Sequence, residues 1–207
     1  SSAASDVYKR QIMANQTFAM SYPEKRTFFL EGSELLKTDT QTVYTRSITN
    51  PLGALKYINQ GDQSSIYMLQ ATDTDSPYLA AGQYRSFRGN AGKSKVTIGR
   101  FKRNLGNKSH MGMLATNRDY QIGGSGSVIE FDGLINFLDD YILNLNYAKS
   151  DTQEGDIDFI ETDETFAGRT YAMDGESFSG TAKNIRIRRA VDGSYACLLY
   201  TSDAADE

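Results

Sequence analysis

The residues of this chain that could do chemistry lie in a few short runs, and most of these runs lack a member that the chemistry needs. GNAGKS (89–94) resembles a phosphate-binding loop, but Phe87 stands where the first glycine of that motif belongs. GGSGS (123–127) and GESFSG (175–180) lack the closing glycine of a nucleophile elbow. All three runs are therefore predicted to be turns.

Acidic residues are concentrated in 151–164, DTQEGDIDFIETDE. Carboxylates spaced two apart can converge on Ca²⁺, but their order does not match an EF-hand, so a solvated acidic loop is predicted. Asp139 and Asp140 are adjacent and point to opposite faces of a strand, so they cannot flank one glycosidic bond. A single histidine, His110, and a single cysteine, Cys197, are too few for a zinc site or a disulfide framework. The sequence therefore predicts no catalytic residue, cofactor or metal site.

The elements that must position these residues are strands. From residue 43 onward, runs of about ten residues alternate with turn clusters, a pattern typical of an all-β antiparallel up-and-down meander. The predicted strands cover 43–48, 54–59, 64–72, 78–87, 94–105, 109–119, 127–137, 140–150, 165–174 and 177–191. Residues 31–38 are predicted to form no more than one short helical turn.

Apolar and polar residues alternate inside several of these runs. The apolar positions include Tyr141, Leu143, Leu145 and Tyr147, then Ile185 and Ile187, and earlier Val96 and Ile98. Such alternation puts one face of a strand in an apolar medium and the other in a polar one. A soluble sandwich or barrel hides the apolar face in its core, whereas a transmembrane β-barrel turns it to lipid. Run length and the aromatic ends at Tyr78, Phe137 and Tyr141 suit membrane strands, but the pattern alone leaves both alternatives open.

Composition excludes two classes of protein. No window approaches the ~18 apolar residues of a transmembrane helix. The formal net charge of -4, with basic residues scattered along the chain, does not indicate a nucleic-acid partner.

The two ends are set apart from the rest. Residues 1–11 and 197–207 resemble translated sequencing-adapter read-through and are predicted to be non-native tails. The intervening chain is predicted to hold a pre-barrel junction at 12–42 and barrel strands at 43–196. We expect it to be an internal piece of a longer protein.

The most distinctive run is YPEKRTFFLEG at 22–32. Pro23 fixes φ and lacks an N–H, so it starts a turn. The charged residues of this block predict an ion-pair and hydrogen-bond network anchored by two phenylalanines. The alternative is a plain charged turn beside a buried aromatic pair. The candidate structural residues are Pro23, Glu24, Lys25, Arg26, Phe28, Phe29, Glu31 and Gly32.

This block resembles the outer-membrane β-barrel family, of unknown function, that follows a carbohydrate-binding family-9-like domain in Gram-negative bacterial proteins. The family pattern is Phe/Tyr-Pro-Glu-Lys-Arg, one residue that is usually Pro, then Phe-Phe-Leu-Glu-Gly. Here Thr27 takes the place of that Pro. YTRSI (44–48) resembles the family's first barrel strand, and 96–119 and 127–150 resemble later hairpins. The resemblance implies a partial transmembrane β-barrel, with the bilayer of the outer membrane as its partner.

Two functions follow as expectations. The first is a non-enzymatic membrane anchor or conduit that serves a carbohydrate-binding domain in glycan binding or uptake. Under it, Lys183, Arg186 and Arg188 would line the barrel lumen, although ordinary solvated strand charge is an equal alternative. The second is a soluble β-rich polysaccharide-binding module or enzyme whose Tyr and Phe residues stack on sugars. An exposed band of Leu and Ile favours the first, and a filled apolar interior favours the second.

Overall fold

The chain folds into one large antiparallel sheet, in a computed structural model that describes residues 23–81, 86–138, 140–157, 165–166, 169–170, 172–191 and 194–204. Its eight strands are β1 (Pro51–Gln60), β2 (Ser64–Asp73), β5 (Ser94–Gly106), β6 (Ser109–Tyr120), β7 (Ser125–Phe137), β8 (Tyr141–Gln153), β13 (Ser177–Val191) and β14 (Ser194–Ala204). They pair in that order, and β1 does not pair with β14, so the sheet is open. The predicted all-β up-and-down meander is confirmed.

Two of the connections between strands of the large sheet contain shorter strands. β3 (Pro77–Ala81) and β4 (Ser86–Asn90) pair as a hairpin between β2 and β5. Between β8 and β13, β9 (Asp156–Ile157) pairs with β12 (Met173–Asp174), and β10 (Thr165–Phe166) pairs with β11 (Arg169–Thr170). The single strands predicted over 78–87 and 165–174 are therefore wrong, because each run folds back on itself.

The described chain begins with residues 23–50, which precede the sheet and which we name the docked segment. It contains a one-turn α-helix, Thr27–Leu30, and two 3₁₀ turns, Ser33–Leu36 and Thr45–Ser47. The short helical turn predicted near 31–38 is confirmed. Among the described residues, no helix is long and apolar enough to cross a membrane.

The strand predicted over 43–48 is wrong, and the first strand begins at Pro51. The backbone N–H groups of Ser47 and Ile48 donate to the carbonyls of Tyr44 and Thr45, which closes a 3₁₀ turn. The Arg26 guanidinium also donates hydrogen bonds to the carbonyls of Thr45 and Ile48. These carbonyls are therefore committed to the turn and to Arg26 and do not enter a strand ladder.

The docked segment lies on one face of the sheet, which we name the covered face; the other is the open face. Residues buried between segment and sheet form the apolar core: Phe29, Leu35, Leu36 and Ile48 from the segment, and Tyr67, Leu69, Ala71, Val96, Ile98 and Leu114 from β2, β5 and β6. The core therefore lies under the segment rather than along the whole sheet. Val96 and Ile98, whose alternation fitted a lipid-facing side, belong to this core.

Candidate functional site

At the start of the docked segment, Glu24 and Arg26 form an ion-pair and hydrogen-bond network, while the Lys25 side chain is exposed and Glu31 pairs elsewhere. Arg26 Nε and Nη2 donate to the two carboxylate oxygens of Glu24 at 2.9 and 2.8 Å, and Nη1 donates to the Ile48 carbonyl at 2.6 Å. The Thr45 hydroxyl also donates to Glu24, at 2.8 Å. Burial by itself raises the pKa of the Glu24 carboxyl, but the hydrogen bonds from Arg26 and Thr45 outweigh it and lower that pKa to about 2. The pair ties the start of the segment to its end.

Two phenylalanines lie beside this network, and one of them contacts Arg26. The Phe28 and Phe29 rings meet edge to face with centroids 5.2 Å apart, and the Arg26 guanidinium lies 4.1 Å from the Phe29 centroid. Phe29 is buried, whereas Phe28 and Lys25 are exposed. Pro23 contributes its carbonyl, which accepts a hydrogen bond from Arg46 at 3.0 Å.

The end of the block binds the edge strand β1. Lys56 Nζ donates to the Glu31 carboxylate at 2.9 Å and to the Glu31 carbonyl at 3.1 Å. Gly32 has a φ of 75°, and a Cβ there would lie 2.5 Å from Ile58 Cδ1. Because an L side chain is strained at that φ and would also have to displace the end of the Ile58 side chain, glycine favours this close approach of the segment to β1.

A buried arginine crosses one strand to reach an acid on the next. Arg100 of β5 is 3% exposed, and its guanidinium pairs with both carboxylate oxygens of Asp132 on β7. Its Nε donates to the Leu35 carbonyl of the docked segment at 3.0 Å. A Cβ at Gly112, on the intervening β6, would lie 2.6 Å from the guanidinium. Gly112 is thus the gap through which Arg100 links β5, β7 and the segment.

A fully buried carboxylate holds the middle of the docked segment. Glu130 of β7 is 0% exposed. Its two oxygens accept hydrogen bonds from the hydroxyls of Thr40 and Thr42 at 2.5 and 2.6 Å, and Asn146 Nδ2 also donates to it. A buried carboxylate is costly unless it accepts several hydrogen bonds. The segment therefore supplies the donors that make this position tolerable.

The end of the docked segment is fixed by an acid on β2. Asp73, also 0% exposed, accepts hydrogen bonds from the backbone N–H groups of Thr49 and Asn50 at 3.0 and 2.8 Å. Arg118 of β6 donates to the Ser47 hydroxyl at 2.9 Å. Polar anchors thus run along the whole segment and reach five strands, β1, β2, β5, β6 and β7.

The three basic residues predicted to share a lumen are split between the two faces. Asn184 pairs with the buried Asn146, so Arg186 and Arg188 lie on the covered face and are half-buried. Lys183 pairs with the exposed Tyr147 and lies on the open face. Grouping Lys183 with the arginines is wrong, because residues an odd number of positions apart on a strand point to opposite faces.

The open face carries a band of exposed apolar residues across seven strands. Met68 is 57% exposed, Met111 50% and Phe131 49%. The other exposed members are Leu55, Tyr57, Phe101, Met113, Ile129, Leu145, Tyr147 and Ile185. Leu143 and Ile187, which are half-buried, continue the band on β8 and β13. The prediction placed Leu143, Leu145, Ile185 and Ile187 together on one apolar face, and the register does so.

Motifs that resembled chemistry prove to be connections. GNAGKS spans the end of β4 and the start of β5, GGSGS spans the turn from β6 to β7, and GESFSG leads into β13. In the acidic stretch, 158–164 lie outside the described residues. Glu154 lies with Asp174 and Glu176, their carboxylate oxygens within 4.8 Å of one another. Such surface acids commonly cluster without a ligand.

Sequence reasoning missed the buried polar residues of the sheet. Arg100 lies four residues after Val96 and two after Ile98, so the three side chains share one face of the strand. Glu130 lies two residues after Val128 in the same way. A charged residue in the register of an apolar face signals a buried partner, and this signal was available. The sequence does not say which partner it finds, because Thr40 and Glu130 are separated by 90 positions.

Comparisons of this chain with protein-family models, with curated proteins and with solved structures find no match.

Proposed function

We propose that this chain supplies an antiparallel sheet of a bacterial outer-membrane β-barrel, with its open face to lipid and its covered face to the lumen. In this proposal the barrel anchors a carbohydrate-binding domain, and the docked segment fixes that domain at the barrel entrance during glycan binding or uptake. The observation that carries the proposal is the course of the apolar band on the open face.

The band crosses the strands obliquely. On β1 the centre of the band lies between Leu55 and Tyr57. The cross-strand pairs that start at this position lead from strand to strand and reach β13 at Gly180. On β13 the apolar pair is Ile185 and Ile187, centred on 186. The band therefore moves along the strands by about one residue at each step from one strand to the next.

An oblique band is what a tilted strand in a flat bilayer requires. With a rise of about 3.3 Å per residue and about 4.8 Å between strands, one residue per strand corresponds to a tilt of about 35°. Strands of membrane barrels tilt by about 35–45°. A flat hydrocarbon layer across such tilted strands would contact this band and little else of the open face.

Width and edges support the same proposal. On β7 the open-face apolar positions run from Ile129 to Phe137, nine residues, and a tilted membrane strand needs about 9–11. At the end of the band beside the β7–β8 turn, the Phe137 and Tyr141 rings stack with centroids 5.5 Å apart. The Arg189 guanidinium lies 5.3 Å from the Tyr141 centroid. Aromatic and basic side chains suit the interface between hydrocarbon and headgroups.

The resemblance of the 22–32 block adds the glycan-related part of the proposal. Its network holds the docked segment on the covered face, which becomes the lumen side of a barrel. A segment held in this way offers a fixed binding surface for a neighbouring domain.

A soluble polysaccharide-binding module remains the second candidate. It is favoured by the filled apolar core under β2 and β5, which a membrane barrel does not need, and by exposed aromatic rings at Tyr57, Phe101, Phe131 and Tyr147. On this alternative the open face stacks on sugar rings in water.

Depth measurements separate the two candidates. Full-length protein with Cys197→Ser receives one new cysteine, Met113→Cys in the band or Asn117→Cys four residues away on the same strand and face. Each variant is reconstituted into phosphatidylcholine vesicles, labelled with a fluorophore and exposed to brominated lipids. We expect strong quenching at position 113 and weak quenching at 117. Soluble, monodisperse protein that is quenched at neither position and binds a polysaccharide instead supports the second candidate.

A further inference from the structure

We infer that the open face holds a specific site for an anionic phospholipid, with an acyl chain in a groove at Gly133 and the phosphate at Lys183 and Lys149. This inference rests on the proposed membrane function and names a ligand for it.

The groove is a depression within the apolar band. Its volume is about 480 Å³, and its walls on the open face include Phe101, Met113, Phe131, Leu145, Tyr147 and Ile185. The depression exists because Gly133, in the register between Met111 and Leu145, presents no side chain to that face. A flexible hydrocarbon chain fits a narrow apolar groove that is open along one side.

Two lysines mark one end of the groove. Lys183 pairs with Tyr147, and Lys149 pairs with Thr181, so the two lysines are diagonal neighbours on the open face of β8 and β13. Diagonal neighbours on paired strands lie about 7–8 Å apart, a span that one phosphate group bridges. Lys183 has no acidic partner within the described part of the chain. Lys149 Nζ lies 3.2 Å from Asp151 Oδ1.

Charge and shape together select the ligand class. An apolar groove alone accepts any acyl chain, but cations at its end add attraction for a negative headgroup. At the opposite end, beyond Ile135, the Arg189 guanidinium is engaged with the Tyr141 ring, 5.3 Å from its centroid, whereas Lys183 lies at the groove itself. A phospholipid with a net negative headgroup is therefore the occupant, and a zwitterionic lipid lacks the extra charge.

The site is tested by counting bound lipid. Full-length protein is reconstituted in vesicles of phosphatidylcholine with phosphatidylglycerol, extracted in mild detergent and examined by native mass spectrometry. We expect wild type to retain phosphatidylglycerol. Lys183→Met should weaken its retention by about fivefold, the value of one cation near an anionic headgroup. Lys95→Met is the matched control, because Lys95 lies on the same face but far along β5, and it should retain wild-type binding.

A second variant tests the groove. A Cβ at Gly133 lies 3.8 Å from the His110 carbonyl oxygen, which is ordinary contact, so Gly133→Ala fits the backbone as it stands. The leucine of Gly133→Leu extends from the same Cβ into the groove. Gly133→Leu should displace the acyl chain and lower retention more than Gly133→Ala. Equal loss in Lys95→Met and Lys183→Met, or full retention in Gly133→Leu, overturns the inference. Failure of wild-type protein to float with these vesicles in a density gradient overturns the proposed membrane function instead.

Discussion

The two halves of the sheet differ on one face and agree on the other. In β2 and β5 the covered face is apolar, with Tyr67, Leu69, Val96 and Ile98 buried. In β7, β8 and β13 the same face is polar, with Glu130, Asn146, Asn184 and Arg186. The open face carries exposed apolar residues in both halves.

This contrast separates two causes of side-chain choice. On the covered face, apolar residues occur where the docked segment brings Phe29, Leu35 and Ile48, and polar residues occur where it brings Thr40 and Thr42. The open face does not follow the segment. Because the apolar band on this face crosses seven strands whether or not the segment lies behind them, it supports the proposal that this face meets lipid.

The largest expected effect is on the polar bridge of the covered face. Arg100→Met leaves Asp132 without its main partner, and breaking a buried ion pair in this way costs about 3–5 kcal/mol of unfolding free energy. Urea unfolding followed by circular dichroism measures it. Arg103→Met, on the open face of the same strand, is the control and should change stability by less than about 0.5 kcal/mol. A double variant, Arg100→Met with Asp132→Leu, should recover part of the loss.

The next effect tests the open face directly. Met113→Arg places a charge in the apolar band, which costs about 2–4 kcal/mol in a bilayer. Asn117→Arg, outside the band on the same strand, should cost about 0–1 kcal/mol. Unfolding in vesicles measures both. If Met113→Arg proves neutral, the open face is in water and the comparison between the faces loses its meaning.

A smaller effect is expected where the segment meets β1. Gly32→Ala combines a left-handed φ with a clash against Ile58 and should cost about 2 kcal/mol. Hydrogen exchange of peptides from 23–50 should then accelerate, while exchange in β7 stays slow. Gly53→Ala is the control, since a Cβ there has nothing within 4 Å. Equal exchange in the two variants would show that close docking at Gly32 is unimportant.

The smallest effect depends on pH. Because the pKa of Glu24 is about 2 in the folded chain and 4.5 when unfolded, its stabilising contribution is complete above pH 4.5 and is lost as pH falls toward 2. Pepsin cleavage of the docked segment should rise over this interval. Glu24→Gln should dock about 1 kcal/mol more weakly near neutral pH and lack this part of the pH dependence. Identical pH profiles for the two proteins would contradict the network.

Local pattern sufficed for the long strands β2, β5 to β8 and β13 but not for both of their faces. Alternation in β8 and β13 gives the faces correctly because one face is apolar and the other polar. In β5, apolar residues stand on both faces, Ile98 on the covered face and Phe101 on the open one, so alternation there leaves the outward side undetermined. The 22–32 block yields its own ion pair from sequence, because Glu24 and Arg26 are two residues apart.

The contacts that hold the segment on the sheet could not be predicted. Arg100 meets Asp132 only because Gly112 leaves a gap on the strand between them, and this depends on register. The turn at Thr45–Ser47 overrode a strand-like sequence because Arg26, distant in sequence, binds its carbonyls. The identity of these partners is set by the tertiary arrangement and cannot be read from the local sequence.

The Glu130 carboxylate has a consequence for the order of folding. Its neighbours in the sheet pair through short hairpins, which close quickly, whereas its donors Thr40 and Thr42 lie 90 and 88 positions earlier in the chain. Hairpins formed first leave this acid hydrated, and its water is removed only when the segment arrives. We therefore expect residues 23–50 to close over the strands late in folding, and a variant lacking the Thr40 and Thr42 hydroxyls to close more slowly.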